Sequence, residues 1–140
     1  MSRVLAALTA LLLAGPALSQ EVTGDAAKGE KAFAKCRSCH SIESDSGEVI
    51  VKGGRTGPNL YGVIGRPAGS YEDYSYSEDL AAAGANGLVW DGPQFVAFTH
   101  DPREFLRAYL DDSKAKSKMV FKLSSGSEDI YAYLVSVGPQ

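Results

Sequence analysis

Cys36, Arg37, Ser38, Cys39 and His40 form one run. Two thiols separated by two residues, with an imidazole directly after them, can carry out a specific piece of chemistry. The thiols add across the two vinyl groups of a haem to form thioethers, and the imidazole falls beneath the iron as an axial ligand. Three other readings use the same residues. A C-x-x-C redox pair belongs at a helix start after a strand, whereas Ala26 to Lys35, ahead of Cys36, read as helix. A structural zinc site takes four nitrogen or sulfur ligands, and the chain offers Cys36, Cys39, His40 and the distant His100 with no second close pair. A Cys36–Cys39 disulfide would close too small a loop to constrain much of the chain, and it leaves His40 unexplained.

Haem iron held by His40 alone is open to water, oxygen or peroxide, so the residue at its sixth position decides the chemistry. The two methionines of the sequence are Met1, in an apolar leader, and Met119. Met119 lies within Lys114-Ala115-Lys116-Ser117-Lys118-Met119-Val120-Phe121, a polar, lysine-rich stretch that has little use for methionine as core filler. His100 is the competing ligand and would give bis-histidine iron. It stands between two predicted helices, ahead of Asp101-Pro102, where a polar turn residue is expected.

The elements that must position these groups read as helices. Asp25 is a good N-cap for a helix running to Cys36, on which Gly29, Phe33 and Cys36 share a face. Ser125-Gly126-Ser127-Glu128 matches the capping box, and Ile130, Tyr133, Leu134 and Val137 then form an apolar stripe. The two terminal helices are expected to pack on each other. Asp91-Gly92-Pro93-Gln94 and Asp101-Pro102-Arg103-Glu104 start two further helices, and Ser77 to Ala83 suggests a short one stopped by Gly84. No stretch alternates convincingly as a strand. From Ser41 to Ser70 the chain is irregular and rich in glycine; a loop of that length makes sense if it wraps a large, flat, apolar object.

Length and composition suit one domain: 140 residues, of which 44% are hydrophobic and 22% charged. Residues 1–19 read as a secretory signal peptide, with Arg3, the apolar run Val4 to Ala14 and the small residues Ala17 and Ser19 before a cleavage site at Gln20. Residues 20–140 form the remaining single domain, and the apolar run is too short to span a bilayer unaided. The net charge of −3 argues against nucleic acid as a partner. Basic residues nevertheless crowd both proposed ligands: Lys28, Lys31, Lys35 and Arg37 near His40, and Lys114, Lys116, Lys118 and Lys122 near Met119. Acidic residues, among them Glu72, Asp73, Glu78, Asp79 and Asp91, lie between.

With these residues in place, the chain resembles the class I c-type cytochromes, and closely the bacterial cytochrome c2 and cytochrome c550 type. Gly29, Phe33, Cys36, Cys39 and His40 are similar to that family's N-terminal helix and haem motif. Gly57-Pro58-Asn59-Leu60 resembles its loop beneath the histidine, Lys118-Met119-Val120-Phe121 its methionine segment, and Ile130 with Tyr133 its C-terminal helix. The resemblance implies an all-α small cytochrome c fold, with crossing terminal helices and long loops around one haem c held through Cys36 and Cys39. It implies that the Pro58 carbonyl accepts the His40 Nδ1 proton, and that Arg66, Tyr76 and Trp90 supply donors to a buried haem propionate. Phe98 falls where the family often has a tyrosine near the methionine sulfur. The implied function is that of a soluble, monomeric, periplasmic one-electron carrier rather than an enzyme. Its donor would be a quinol-oxidising bc-type complex, its acceptor an oxidase, a photosynthetic reaction centre or a periplasmic reductase, met transiently through lysines such as Lys35, Lys116 and Lys118. The rival class is a haem enzyme or gas sensor with an open sixth position.

Overall fold

A computed structural model describes residues 23–139; the predicted signal peptide lies outside the described residues. The order of elements is α1 (Ala26–Ala32), β1 (Ile42–Glu43), β2 (Val49–Val51), α2 (Glu78–Ala85), α3 (Gly92–His100), α4 (Pro102–Leu110) and α5 (Ser127–Val137).

Asp25 starts α1 as its residue type predicts, its carboxylate accepting from the Ala27 and Lys28 amides at 3.0 and 3.1 Å. The α-helix stops at Ala32, earlier than expected, and tightens into a 3-10 turn over Phe33–Lys35 that delivers the chain to Cys36. As expected, α1 packs against α5. Gly29 makes the approach close enough: a Cβ there would stand 1.9 Å from the Asp129 carbonyl oxygen. Phe33 and Tyr133 fill the next layer with ring centroids 5.8 Å apart, and the Asp25 amide donates to Asp129 Oδ1 at 2.8 Å.

The predicted caps of α3 and α4 form, and Ser77, expected as the first residue of α2, caps it instead. Ser77 accepts from the Leu80 amide, Asp91 from Gln94 and Asp101 from Glu104. Three local expectations are corrected. Helix α2 runs through Gly84 to Ala85 and is followed by Gly87 at φ 96°. Gly84 is instead a contact point, since a Cβ there would meet the Ala68 carbonyl oxygen at 1.8 Å. The capping box of α5 does not form: Gly126, at φ 87°, is the N-cap and no side chain caps the helix. Ser127 is drawn inward to the buried Thr99 hydroxyl at 3.0 Å, which shifts the helix start past the Ser125 register. Lastly, β1 and β2 form a small antiparallel hairpin, too short and irregular in register to show as alternation. The rest of the stretch from Ser41 to Ser70 is loop, apart from a bridge between Pro67 and Val89.

The core gathers Phe33 from the 3-10 turn after α1 and residues from α2 to α5, including Ala83, Phe98, Leu106 and Ile130, together with Ile42 and Leu88. Trp90, Phe98 and Phe105 form an aromatic cluster, with centroids 4.8 Å apart for Trp90–Phe98 and 5.6 Å for Phe98–Phe105. Among the described residues no helix is long and apolar enough to cross a membrane.

Gly29→Ala forces backbone apart from backbone, an overpacking that costs about 1–3 kcal/mol or more. Equilibrium denaturation should show a lowered midpoint with an unchanged slope.

Candidate cofactor site

His40 follows the helical turn that holds both cysteines, and its backbone amide donates to the Cys36 carbonyl at 3.0 Å. Its ring is fixed from below. Nδ1 lies 2.8 Å from the Pro58 carbonyl oxygen, and because a carbonyl can only accept, Nδ1 carries the proton and Nε2 keeps a free lone pair. Burial holds the imidazole below its ordinary pKa, opposed by the bond to Pro58, so the neutral, ligating form is favoured. The loop reaches this position by running along the motif: Gly54 donates to the Arg37 carbonyl, Gly57 to Cys39 and Leu60 to Ser41. Gly57 faces the ring itself, and a Cβ there would lie 2.4 Å from His40 Cε1.

His40 lines a cavity of about 330 Å³. Cys36 and Cys39 line the same cavity and are not joined to each other, against the disulfide reading. They differ in setting. Burial pushes the Cys36 thiol up to about 11, whereas hydrogen bonds from Thr56 and Ser38 lower that of the exposed Cys39. Among the described residues no group of three or more His, Cys, Asp or Glu side chains could hold a metal ion, against the zinc reading. His100 is exposed at the end of α3 and is absent from the cavity lining; Met119 is part of it.

Trp90, Phe95, Phe98, Val63, Leu80 and Ile130 give the cavity apolar walls. Arg66, Tyr76 and Trp90 all border it. Arg66 donates to the Asn59 and Tyr61 carbonyls at 3.2 and 3.3 Å. Burial lowers its pKa and Tyr76 opposes that shift; burial in turn raises the Tyr76 phenol. Phe98, at the position aligned with a family tyrosine, also lines the cavity and brings no hydroxyl.

Two residues of the site escape the sequence reading. Tyr71 lies under the Arg66 guanidinium, 5.0 Å from ring centroid to Cζ. Tyr74 borders the cavity and donates to the Thr56 carbonyl at 2.8 Å. Their available signal is compositional: three tyrosines, at 71, 74 and 76, in one short loop.

This geometry fits a haem. Two thiols and an imidazole with its lone pair free meet at an apolar cavity, the backbone is pared to glycine against the ring, and cation and phenol lie together on the cavity wall. A small helical domain whose terminal helices pack together around such a site has the architecture of a c-type cytochrome. No family model matches the chain. It is 62% identical over 137 residues to cytochrome c-551 of Roseobacter denitrificans, covering 98% of this chain and 96% of that protein. The solved cytochrome c2 of Rhodobacter capsulatus matches with TM-score 0.80 at 54% identity, over 81% of this chain and 98% of that one. Ferric cytochrome c-550 of Paracoccus versutus matches with TM-score 0.81 at 42% identity, over 84% and 100%. The chain belongs to the class I c-type cytochromes of the cytochrome c2 and c-550 type. Its cofactor is one haem c, bound covalently through Cys36 and Cys39, and its activity is that of an electron carrier.

Haem stain of the purified protein should therefore persist on a denaturing gel after acid–acetone extraction. Replacing both Cys36 and Cys39 with alanine should abolish it, and extraction of the colour from wild type would contradict the linkage.

Proposed function

We propose that the protein is a periplasmic one-electron carrier whose iron ligands are His40 Nε2 and the Met119 thioether. One observation carries the reading: His40 and Met119 line a single apolar cavity, while His100 sits exposed outside it. The bound haem supplies an Fe(II)/Fe(III) couple. The rest of the assignment concerns what the chain does for that couple. Pro58 fixes the His40 tautomer and strengthens Nε2 as a donor. Met119, a soft thioether, favours the ferrous state over what a second histidine would give, and the apolar walls disfavour the extra ferric charge. Arg66, Tyr76 and Trp90, all on the cavity wall, would hold a propionate. With His40 and Met119 both holding the iron, no substrate would reach it, which favours a carrier over an enzyme or gas sensor.

Residues 1–19 act as the export signal and 20–140 as the single cytochrome domain. The electron donor is a bc-type quinol-oxidising complex, and the acceptor an oxidase, a photosynthetic reaction centre or a periplasmic reductase. Docking is transient, by a monomer, through Lys35, Lys116 and Lys118 near the cavity. Lys35 and Lys118 line the cavity itself, which supports this face, and charge there acts chiefly on the encounter rate.

Met119→Ala should remove the sulfur-to-iron charge-transfer band of the ferric protein, lower the reduction potential and open the iron to carbon monoxide. If His100→Ala produces these changes and Met119→Ala does not, the iron is bis-histidine. Lys35→Glu and Lys116→Glu should slow reduction or oxidation by an acidic membrane partner several-fold at low salt, the difference shrinking once screening falls to about 8–10 Å. Stopped-flow rates over a salt series check this, and an equal effect from reversing Glu72 and Asp73 would mean that net charge alone governs encounter.

A further inference from the structure

The segment that presents Met119 has no regular structure of its own: no helix or strand lies between Leu110 and Ser127. Packing on its far side is weak as well, because Val120 and Phe121, directly after Met119, are 77% and 45% exposed. Four bonds to other parts of the fold hold it. The Lys116 amide donates to Asp79 Oδ2 at 2.7 Å and the Leu123 amide to the Thr99 carbonyl at 2.8 Å. The other two come from lysine side chains on either side of Met119. Lys118 Nζ donates to the Ser75 carbonyl at 2.5 Å and lies over the Tyr74 ring. Lys122 Nζ pairs with Asp101 Oδ2 at 2.5 Å.

The Lys122 pair is better placed than an ordinary surface ion pair. Asp101 is itself held, since its other oxygen caps α4 at the Glu104 amide, and its side chain is only 20% exposed. One partner has thus already lost its rotamer freedom, the loss that commonly cancels the gain of an exposed pair. Lys122 joins the Met119 segment to the corner of α3 and α4, and Lys118 joins it to the loop ahead of α2. All four lysines are exposed, but no hydrogen bond or ion pair from the Lys114 or Lys116 ammonium is seen among the described residues.

We propose that Lys118 and Lys122 are positioning residues that clamp the Met119 segment from both sides. The basic cluster around Met119 then divides into a tethered pair, Lys118 and Lys122, that holds the segment, and an untethered pair, Lys114 and Lys116; Lys118, exposed beside the cavity, still contributes its charge to the docking face. The proposal rests on Met119 being the sixth ligand.

The test is an imidazole titration of the ferric holoprotein, because imidazole binds only when Met119 leaves the iron. Lys122→Met, Lys118→Met and Asp101→Asn should each bind imidazole about two- to fivefold more tightly than wild type, the range of a favourable surface pair. Asn retains the capping acceptor, so Asp101→Asn should leave the unfolding midpoint close to that of Lys122→Met. The double variant Asp101→Asn/Lys122→Met should bind no more tightly than the stronger single. Lys122→Arg, which keeps the pair, and Lys116→Met, which removes only charge, should both titrate like wild type. Met119→Ala sets the upper limit. If wild type already binds like Met119→Ala, the ligand assignment fails and the clamp with it. If wild type binds more weakly than Met119→Ala but the clamp variants match wild type, or Lys116→Met matches them, the clamp alone is overturned.

Discussion

The hydrogen bond from His40 Nδ1 to the Pro58 carbonyl is the constraint from which the surrounding chain path follows. It requires a main-chain acceptor beneath the ring that no amide has already claimed. A helix cannot offer one in its interior, where each carbonyl accepts from the amide four residues on. An irregular loop can. The chain therefore runs without helix from Ser41 to Ser70, pressed along the motif by the amides of Gly54, Gly57 and Leu60 and stripped of a side chain at Gly57. Helix α1 and its tightened last turn serve the same end from the other side, fixing the height at which the ring meets that carbonyl.

Features decided by near neighbours were legible in the sequence. Asp25, Asp91 and Asp101 each cap a helix whose first turn they begin, and a cap depends on residues two or three positions away. The C-x-x-C-H run was legible for the same reason, all of its chemistry lying within five residues. Features decided across the fold were not. Gly84 looks like a helix stop and is instead a gap for the Ala68 carbonyl; Ser125 looks like a cap but loses the position because Ser127 is drawn to Thr99. The hairpin is too short for alternation to register. At the site, Arg66, Tyr76 and Trp90 were named through the family resemblance and line the cavity, whereas the contact of Tyr71 with Arg66 joins residues that no periodicity links.

Core and site are largely one set of side chains. Trp90, Phe95, Phe98 and Ile130 are buried core residues and cavity lining at once. Folding and the environment of the haem therefore draw on the same apolar burial, and a substitution at any of these four changes both together. The polar chemistry is kept to the edges: the imidazole on its carbonyl, the guanidinium over a tyrosine ring, the thiols at the turn.

Arg66 grips the carbonyls of Asn59 and Tyr61, immediately beyond the proline that receives the histidine proton. Asn59 is tied in turn to Glu43 of β1 by two bonds, at 2.7 and 3.0 Å. The four residues from Pro58 to Tyr61 thus behave as a short stiff lever, with a cation at one end, an imidazole at the other and the hairpin as its pivot. A shift in the guanidinium would then reach the His40 imidazole as a mechanical displacement as well as an electric field. Lysine, with one compact ammonium in place of a planar fork, could carry the charge but not hold both carbonyls in the same geometry.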